Sequence, residues 1–259
     1  MAAQLISTTE GQTMVLTLSN PEHRNALGPE IYAAGVEALG VAESLPEVRS
    51  VIITGEGATF SAGGQLQRLL ERRQQPPEVQ AQSIEGLHNW IEAIRTFPKP
   101  VIAAVEGAAA GAGFSLALAC DFIVAAEDAF FIMAYANVGL SPDGGASWGL
   151  TKSLPRQVVS ELLMGGERIG AQRLHALGVV NRLAATGAAL DEALVMAARL
   201  NAKAPNALAS IKELMNEASG ATLTAQLAQE RDHFVRNLHH PNAGIGIEAF
   251  LAKRTPRYE

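Results

Sequence analysis

The chain has 259 residues, 48% of them hydrophobic and 18% charged, enough to bury a large core and too apolar for a disordered or fibrous protein. Its net charge of −6 argues against nonspecific binding to nucleic acid or to acidic membranes. A single cysteine, Cys120, excludes an internal disulfide. With no basic leader and no long apolar run, the chain reads as a soluble cytoplasmic protein.

In chain order, the alternating pattern from Leu5 to Leu18 predicts two short strands joined around Glu10-Gly11 and ended by Asn20-Pro21. Ile31, Ala34, Val36, Ala38, Leu39 and Ala42 recur at near-helical spacing between Pro29 and Glu43. Leu45-Pro46 stops that helix, and Val51 to Thr54 reads as a buried strand. The alternation repeats with a long helix from Pro77 to Phe97, a Pro98-Lys99-Pro100 break and the all-apolar strand Val101 to Val105. Short apolar strands separated by helices favour a largely parallel sheet with right-handed crossovers.

Gly107, Gly111 and Gly113, set among alanines, read as a tight loop opening a buried helix that runs to Cys120. Phe122 to Ala126 and Phe130 to Ile132 supply further strands, and beyond Ser153 the pattern is mainly helical. From about Asp191 three helical segments are expected, with breaks near Pro205, Gly220 and Pro241. The expected division is a core over residues 1–195 and a helical oligomerisation region over 196–259. An apolar stripe from Leu194 and Leu200 through Leu227, Phe234 and Phe250 suits packing between subunits or within one chain.

Walker, GxGxxG, GxSxG and HExxH patterns are all missing, and the adjacent His239-His240 point apart on a helix, so no metal site is expected. Three glycine-rich turns remain, each an ordinary loop if taken alone. They lie in TFSAGGQL (Thr59 to Leu66), KPVIAAVEGAAAGAGFSLALACDF (Lys99 to Phe122) and FIMAYANVGLSPDGG (Phe131 to Gly145). Together, and preceded by NPEHRNAL (Asn20 to Leu27), they resemble the consecutive signatures of the crotonase superfamily of enoyl-CoA hydratases and isomerases.

The resemblance implies an α/β fold, the crotonase-like spiral of β-β-α units with a C-terminal helical trimerisation region. It implies a homotrimer or dimer of trimers, and a coenzyme A thioester as substrate with no tightly bound cofactor. By the family motif the backbone amides of Gly64 and Ala112 would form an oxyanion hole, where two preorganised donors stabilise an enolate oxygen better than mobile water does. The places of the two hydratase glutamates are held by Ser115 and Tyr135, neither of which is a carboxylate base at neutral pH. Asp143 falls where the family's isomerases carry a catalytic carboxylate.

Shifting a double bond needs one base and no bound water, so an enoyl-CoA isomerase is the favoured function. Phenylacetate-type ring intermediates are plausible substrates, with Tyr135 and Trp148 lining the pocket. A hydratase-like enzyme stays open as an alternative. A hydrolytic aryl-CoA dehalogenase, with Asp143 as nucleophile and His88 as base, also stays open, although Leu87 and Gly64 replace the bulky aromatics expected there. A non-catalytic acyl-CoA-binding protein is the alternative of another class. For coenzyme A the resemblance points to Arg24, Lys253 and Arg254 on the phosphates, Phe250 on the adenine, and backbone groups at Ala26, Ala62 and Leu66.

Overall fold

The computed structural model describes residues 3–258; Met1 and Ala2 of the N-terminal reading and Glu259 of the basic tail lie outside them. The alternating segment forms a hairpin in which β1 (Gln4–Glu10) pairs antiparallel with β2 (Thr13–Ser19), Glu10 opposite Thr13, across a turn at Gly11. After α1 (Pro29–Ser44), β3 (Ser50–Gly55) pairs parallel to β2. Two helices, α2 (Leu66–Arg72) and α3 (Pro77–Thr96), lead to β4 (Val101–Val105). The short β5 (Ala108–Ala110) then runs into α4 (Ala112–Ala119). With β6 (Phe122–Ala126) and β9 (Arg182–Ala184), the main sheet has the order β1-β2-β3-β4-β6-β9, parallel from β2 onward.

Period-two alternation divides the apolar strands between two cores. Met14, Leu16 and Leu18 of β2, Val51 and Ile53 of β3, and Val101 and Ala103 of β4 face one side. There they pack with Ile31, Leu39, Leu87 and Trp90 of α1 and α3. Val15, Ile52, Ile102 and Val124 face the other side, against Ala189, Ala193, Met196 and Ala197 of α8 (Ala189–Asn201). Both faces are covered, which is why these strands read as continuous hydrophobic runs.

A second sheet, in the order β5-β7-β8, joins β5 to β7 (Phe130–Ile132) and β8 (Arg168–Gly170). Beyond it lie α5 (Ala146–Ser153), α6 (Arg156–Ser160) and α7 (Ala171–Ala176). The strands β5, β8 and β9 are absent from the sequence reading. Each has only three residues, too few for alternation to register.

The segment from residue 189 contains four helices rather than three: α8, then α9 (Pro205–Ala218), α10 (Leu223–Leu238) and α11 (Pro241–Leu251). Residue 195 falls inside α8. Leu194 and Leu200 of the apolar stripe pack onto the main sheet, whereas Leu223, Leu227, Phe234 and Phe250 stand exposed. Helix α9 is fastened to the core by Lys212, whose Nζ donates to Asp121 Oδ2 at 2.7 Å and to the Ile94 carbonyl at 2.8 Å. Among the described residues no helix is long and apolar enough to cross a membrane.

Candidate active site

Three loops meet beyond the C-terminal ends of the parallel strands, the edge at which open α/β sheets bind ligands. The loop after β2 carries Asn25, which is buried and left-handed at φ 55°. Its side-chain amide donates to the carbonyls of Glu56 (2.9 Å) and Thr59 (2.7 Å), and its own carbonyl accepts from Ser61 Oγ (2.8 Å). Ala62 N donates to Arg24 O and Leu27 N to Gly63 O. The loop after β3, which carries Ser61, Gly63 and Gly64, is laced on its other side to β5 by Ser61 N to Ala108 O (3.0 Å) and Ala110 N to Ser61 O (2.9 Å).

The Gly63-Gly64 backbone is therefore held between two neighbouring chain segments. Gly63 has φ +79°, and a Cβ there would lie 2.4 Å from Ala110 O and 3.1 Å from Ala112 N, so only glycine permits this approach. Ala112 is the first residue of α4, and its N–H is one of the donors a helix start leaves without an intrahelical partner. Neither Gly64 N–H nor Ala112 N–H is taken by a carbonyl among the described residues. The helix dipole adds positive potential at Ala112.

Asp143 lies on the third loop, between Pro142 and Gly144. Tyr135 Oη donates to its Oδ1 at 2.6 Å, and Ser115 Oγ donates to its main-chain carbonyl at 2.9 Å. Gly144, at φ +59°, completes the fit: a Cβ there would meet Ser115 Cβ at 2.9 Å and Leu87 Cδ2 at 3.3 Å. Ser115 and Tyr135, expected as pocket residues, are thus both engaged with Asp143. Tyr135 occupies Oδ1, and among the described residues no side chain bonds Oδ2.

Burial pushes the Asp143 carboxyl above its ordinary range, while the Tyr135 hydrogen bond and the charge of His88 pull the other way. Tyr135 is raised far beyond the usual phenol value, first by burial and then by the Asp143 charge, so it stays a donor. Tyr32 of α1 is pushed up to about 12 by the same two causes.

The remaining expected residues divide. Arg24 is exposed and closes a short 3-10 turn, Pro21–His23, in the left-handed conformation. Its carbonyl ties it to Ala62, beside Ala26 and near the exposed Leu66 that starts α2. The Ala26 N–H is taken by the His23 carbonyl and its own carbonyl by Asn20. Phe250, 83% exposed, and Lys253 sit on the C-terminal arm. That arm ends at Tyr258, whose carbonyl accepts from Arg49 at the opposite, N-terminal end of β3. Six strand residues separate the two ends, about 20 Å at roughly 3.3 Å each. Among the described residues no hydrogen bond or ion pair joins Phe250 or Lys253 to Arg24, Ala26, Ala62 or Leu66.

His88 is half-exposed on α3, its Nδ1 3.7 Å from Glu85. Trp148 is half-exposed on α5, between the cations of Arg95 (5.7 Å) and Lys152 (5.5 Å). Among the described residues no His, Cys, Asp or Glu cluster is arranged for a metal ion. Two concavities, of about 460 and 310 Å³, lie by Arg49 and among the last helices, and neither is lined by Gly64, Ala112 or Asp143.

Sequence reasoning passed over Asn25, Ser61 and Tyr32. Asn25 stood inside a quoted motif without a role, and its two long-range carbonyl partners carry no local signal. Tyr32 stands among the apolar residues of α1 and reads as core.

Known proteins resemble the chain over nearly its whole length. The family model for enoyl-CoA hydratase/isomerase matches residues 8–259. A crystal structure of an enoyl-CoA hydratase from Polaromonas sp. JS666 shares 74% identity and a TM-score of 0.98, covering 98% of this chain and 99% of that one. A 1,2-epoxyphenylacetyl-CoA isomerase of Escherichia coli K12 is 34% identical, covering 98% of this chain and 97% of its own. A 2,3-dehydroadipyl-CoA hydratase of the same strain is 32% identical, covering 99% of each. The chain therefore belongs to the enoyl-CoA hydratase/isomerase family, has the crotonase fold, and is an enzyme of a family that acts on coenzyme A thioesters.

Proposed function

We propose that the enzyme shifts a carbon–carbon double bond in an enoyl-CoA through a thioester enolate. The carboxylate of Asp143 removes a proton from the carbon next to the thioester. The electron pair moves onto the thioester oxygen, where the N–H groups of Gly64 and Ala112 receive the charge. The conjugated enolate then takes the proton back two carbons further on, and Asp143 returns to its ionised form. Burial raises its proton affinity towards the range in which one group can both accept and return a proton near neutral pH.

The observation that carries this reading is that Ser115 and Tyr135 are both bonded to Asp143. Hydration by two carboxylates has no second base in that arrangement, and isomerisation needs none. The similarity to an epoxyphenylacetyl-CoA isomerase supports acyl groups of the phenylacetate ring type. Hydratases stand among the relatives as well, so the test must separate the two reactions.

Arg24, Ala26, Ala62 and Leu66 are the proposed coenzyme A contacts of one copy. Phe250 and Lys253, and the exposed face bearing Leu227 and Phe234, would serve a neighbouring copy in a cytoplasmic homotrimer or dimer of trimers. The experiment is a panel of 3-enoyl-CoAs and 2-enoyl-CoAs with the wild-type enzyme and Asp143→Asn. Isomerisation that is lost in the variant supports the proposal. Hydration as the main reaction, or isomerisation equally fast in the variant, rejects it.

A further inference from the structure

Helix α2 begins two residues after Gly64, and none of its seven residues is buried. A helix that short does not hold itself together in water, and this one sinks no apolar side chain into a core. Its N-cap residue, Gln65, makes no side-chain bond to the first turn. The ties that fix α2 to its neighbours are polar. Both terminal nitrogens of Arg68 donate to the Glu30 carboxylate of α1, at 3.0 and 3.2 Å. One turn later Arg72 donates to Gln80 of α3 at 2.9 Å.

The Arg68–Glu30 pair closes a small frame around a proposed oxyanion donor. Leu27 and Gly64 form an isolated parallel bridge, in which Leu27 N donates to Gly63 O at 2.8 Å. Glu30 follows shortly after Leu27, and Arg68 shortly after Gly64, so two ties join the same two stretches of chain. Gly28 makes room for the outer tie: a Cβ there would stand 2.5 Å from Arg68 Nη1 and 3.0 Å from Glu30 Oε2. Within the frame Leu69 Cδ1 lies 3.8 Å from the Cβ position of Gly64, so α2 touches the residue that carries the donor. The inner tie holds the carbonyl of the very peptide whose N–H is that donor. One hydrogen bond lets a peptide rock about it, and Gly64 has no side chain to resist the motion. The outer tie removes that freedom.

We propose that Arg68 and Glu30 are positioning residues for the reaction: their pair fixes α2 so that the Gly64 N–H stays aimed at the thioester oxygen. The inference rests on the reading of Gly64 as an oxyanion donor. Neither side chain need touch the substrate. The two are 37% and 59% exposed, and exposed pairs add little to global stability, so breaking this one should leave the fold intact. Its effect falls instead on the aim of one N–H, and a donor stabilises developing charge only at the position that the oxyanion takes.

The test reads hydrogen bonding at the thioester oxygen directly, by infrared difference spectra of a bound saturated acyl-CoA labelled with ¹³C at that carbonyl. No turnover is needed, so the result does not depend on which reaction the enzyme catalyses. In wild type the band is expected below its frequency in the free thioester. In Arg68→Gln and in Glu30→Gln it should move part of the way back, with kcat lowered about fivefold, the factor that an exposed pair at the top of its usual range supplies. The thermal unfolding midpoint should stay put. The double variant should be no slower than either single one, and Arg68→Lys, which keeps the charge and loses the two-pronged geometry, should lie between. A band that stays in place in both single variants overturns the proposal, as does a double variant that compounds the two losses or a kcat that falls only in step with the midpoint. A wild-type band at the free-thioester frequency would overturn it together with the oxyanion reading beneath it.

Discussion

Replacing Tyr135 by phenylalanine removes one O–H and keeps the ring that packs beside Gly111. The lost bond is the 2.6 Å contact to Asp143 Oδ1. A hydrogen bond to a charged group contributes about 1.5–3 kcal/mol, and 1.36 kcal/mol corresponds to one pKa unit. The Asp143 carboxyl should therefore rise by about one to two units. The donor favours the ionised form, so its removal favours the protonated form, and the proton-abstracting species is reached only at higher pH.

The other groups acting on Asp143 are the hydroxyl of Ser115, on its main-chain carbonyl, the charge of His88 and a backbone hydrogen bond to the carboxyl; none is altered. The assay is the pH dependence of kcat/KM for isomerisation, with a carbon NMR titration of labelled aspartate as a readout independent of turnover. An acid limb displaced upward by that amount, with activity partly recovered at high pH, is expected. A uniform drop at every pH with the limb unmoved would show that Tyr135 acts only through packing and would refute the reasoning.

Ala112→Pro removes the N–H at the first helical position, where proline is well tolerated, and should lower kcat by about 10²–10³ with the thermal unfolding midpoint little changed. Asp143→Asn should be more stable than wild type at neutral pH. The folded carboxyl holds its proton more tightly than the unfolded chain, so its contribution is fully present below about 3.9 and is lost as pH rises through the folded value. Denaturant titrations near pH 4 and near pH 8 should show the variant's advantage growing with pH. Lys212→Ala strands Asp121, a pair in which burial pushes the carboxyl up and the ammonium down despite their 2.7 Å contact; it should cost about 3–5 kcal/mol in urea unfolding, with Lys212→Ala/Asp121→Asn regaining part of that.

The main sheet was legible because β2 alternates beside a turn at Gly11, β3, β4 and β6 are short apolar runs, and α1 and α3 show helical spacing. What escaped lacks such period: three alanines make β5, and three residues each make β8 and β9. The spiral came from family resemblance, since no local pattern states how one β-β-α turn stacks on the next.

At the site, the glycine-rich turns were visible as turns, and the absence of two glutamates was visible as Ser115 and Tyr135. Their engagement with Asp143 was not, because it joins residues 28 and 8 positions apart and, for Ser115, depends on a left-handed Gly144. Phe250 and Lys253 illustrate the converse. The family motif names them, while no hydrogen bond or ion pair among the described residues joins them to the Arg24 cluster.

The most direct measurement is exchange of the α-protons of phenylacetyl-CoA in D₂O, followed by NMR. This thioester can form the enolate and has no double bond in its chain to shift, so exchange reports proton removal alone. Wild type should exchange these protons, Ala112→Pro about 10²–10³ times more slowly, and Asp143→Asn at the uncatalysed rate. Exchange undiminished in both variants would mean that neither the main-chain cradle nor this carboxylate forms the enolate.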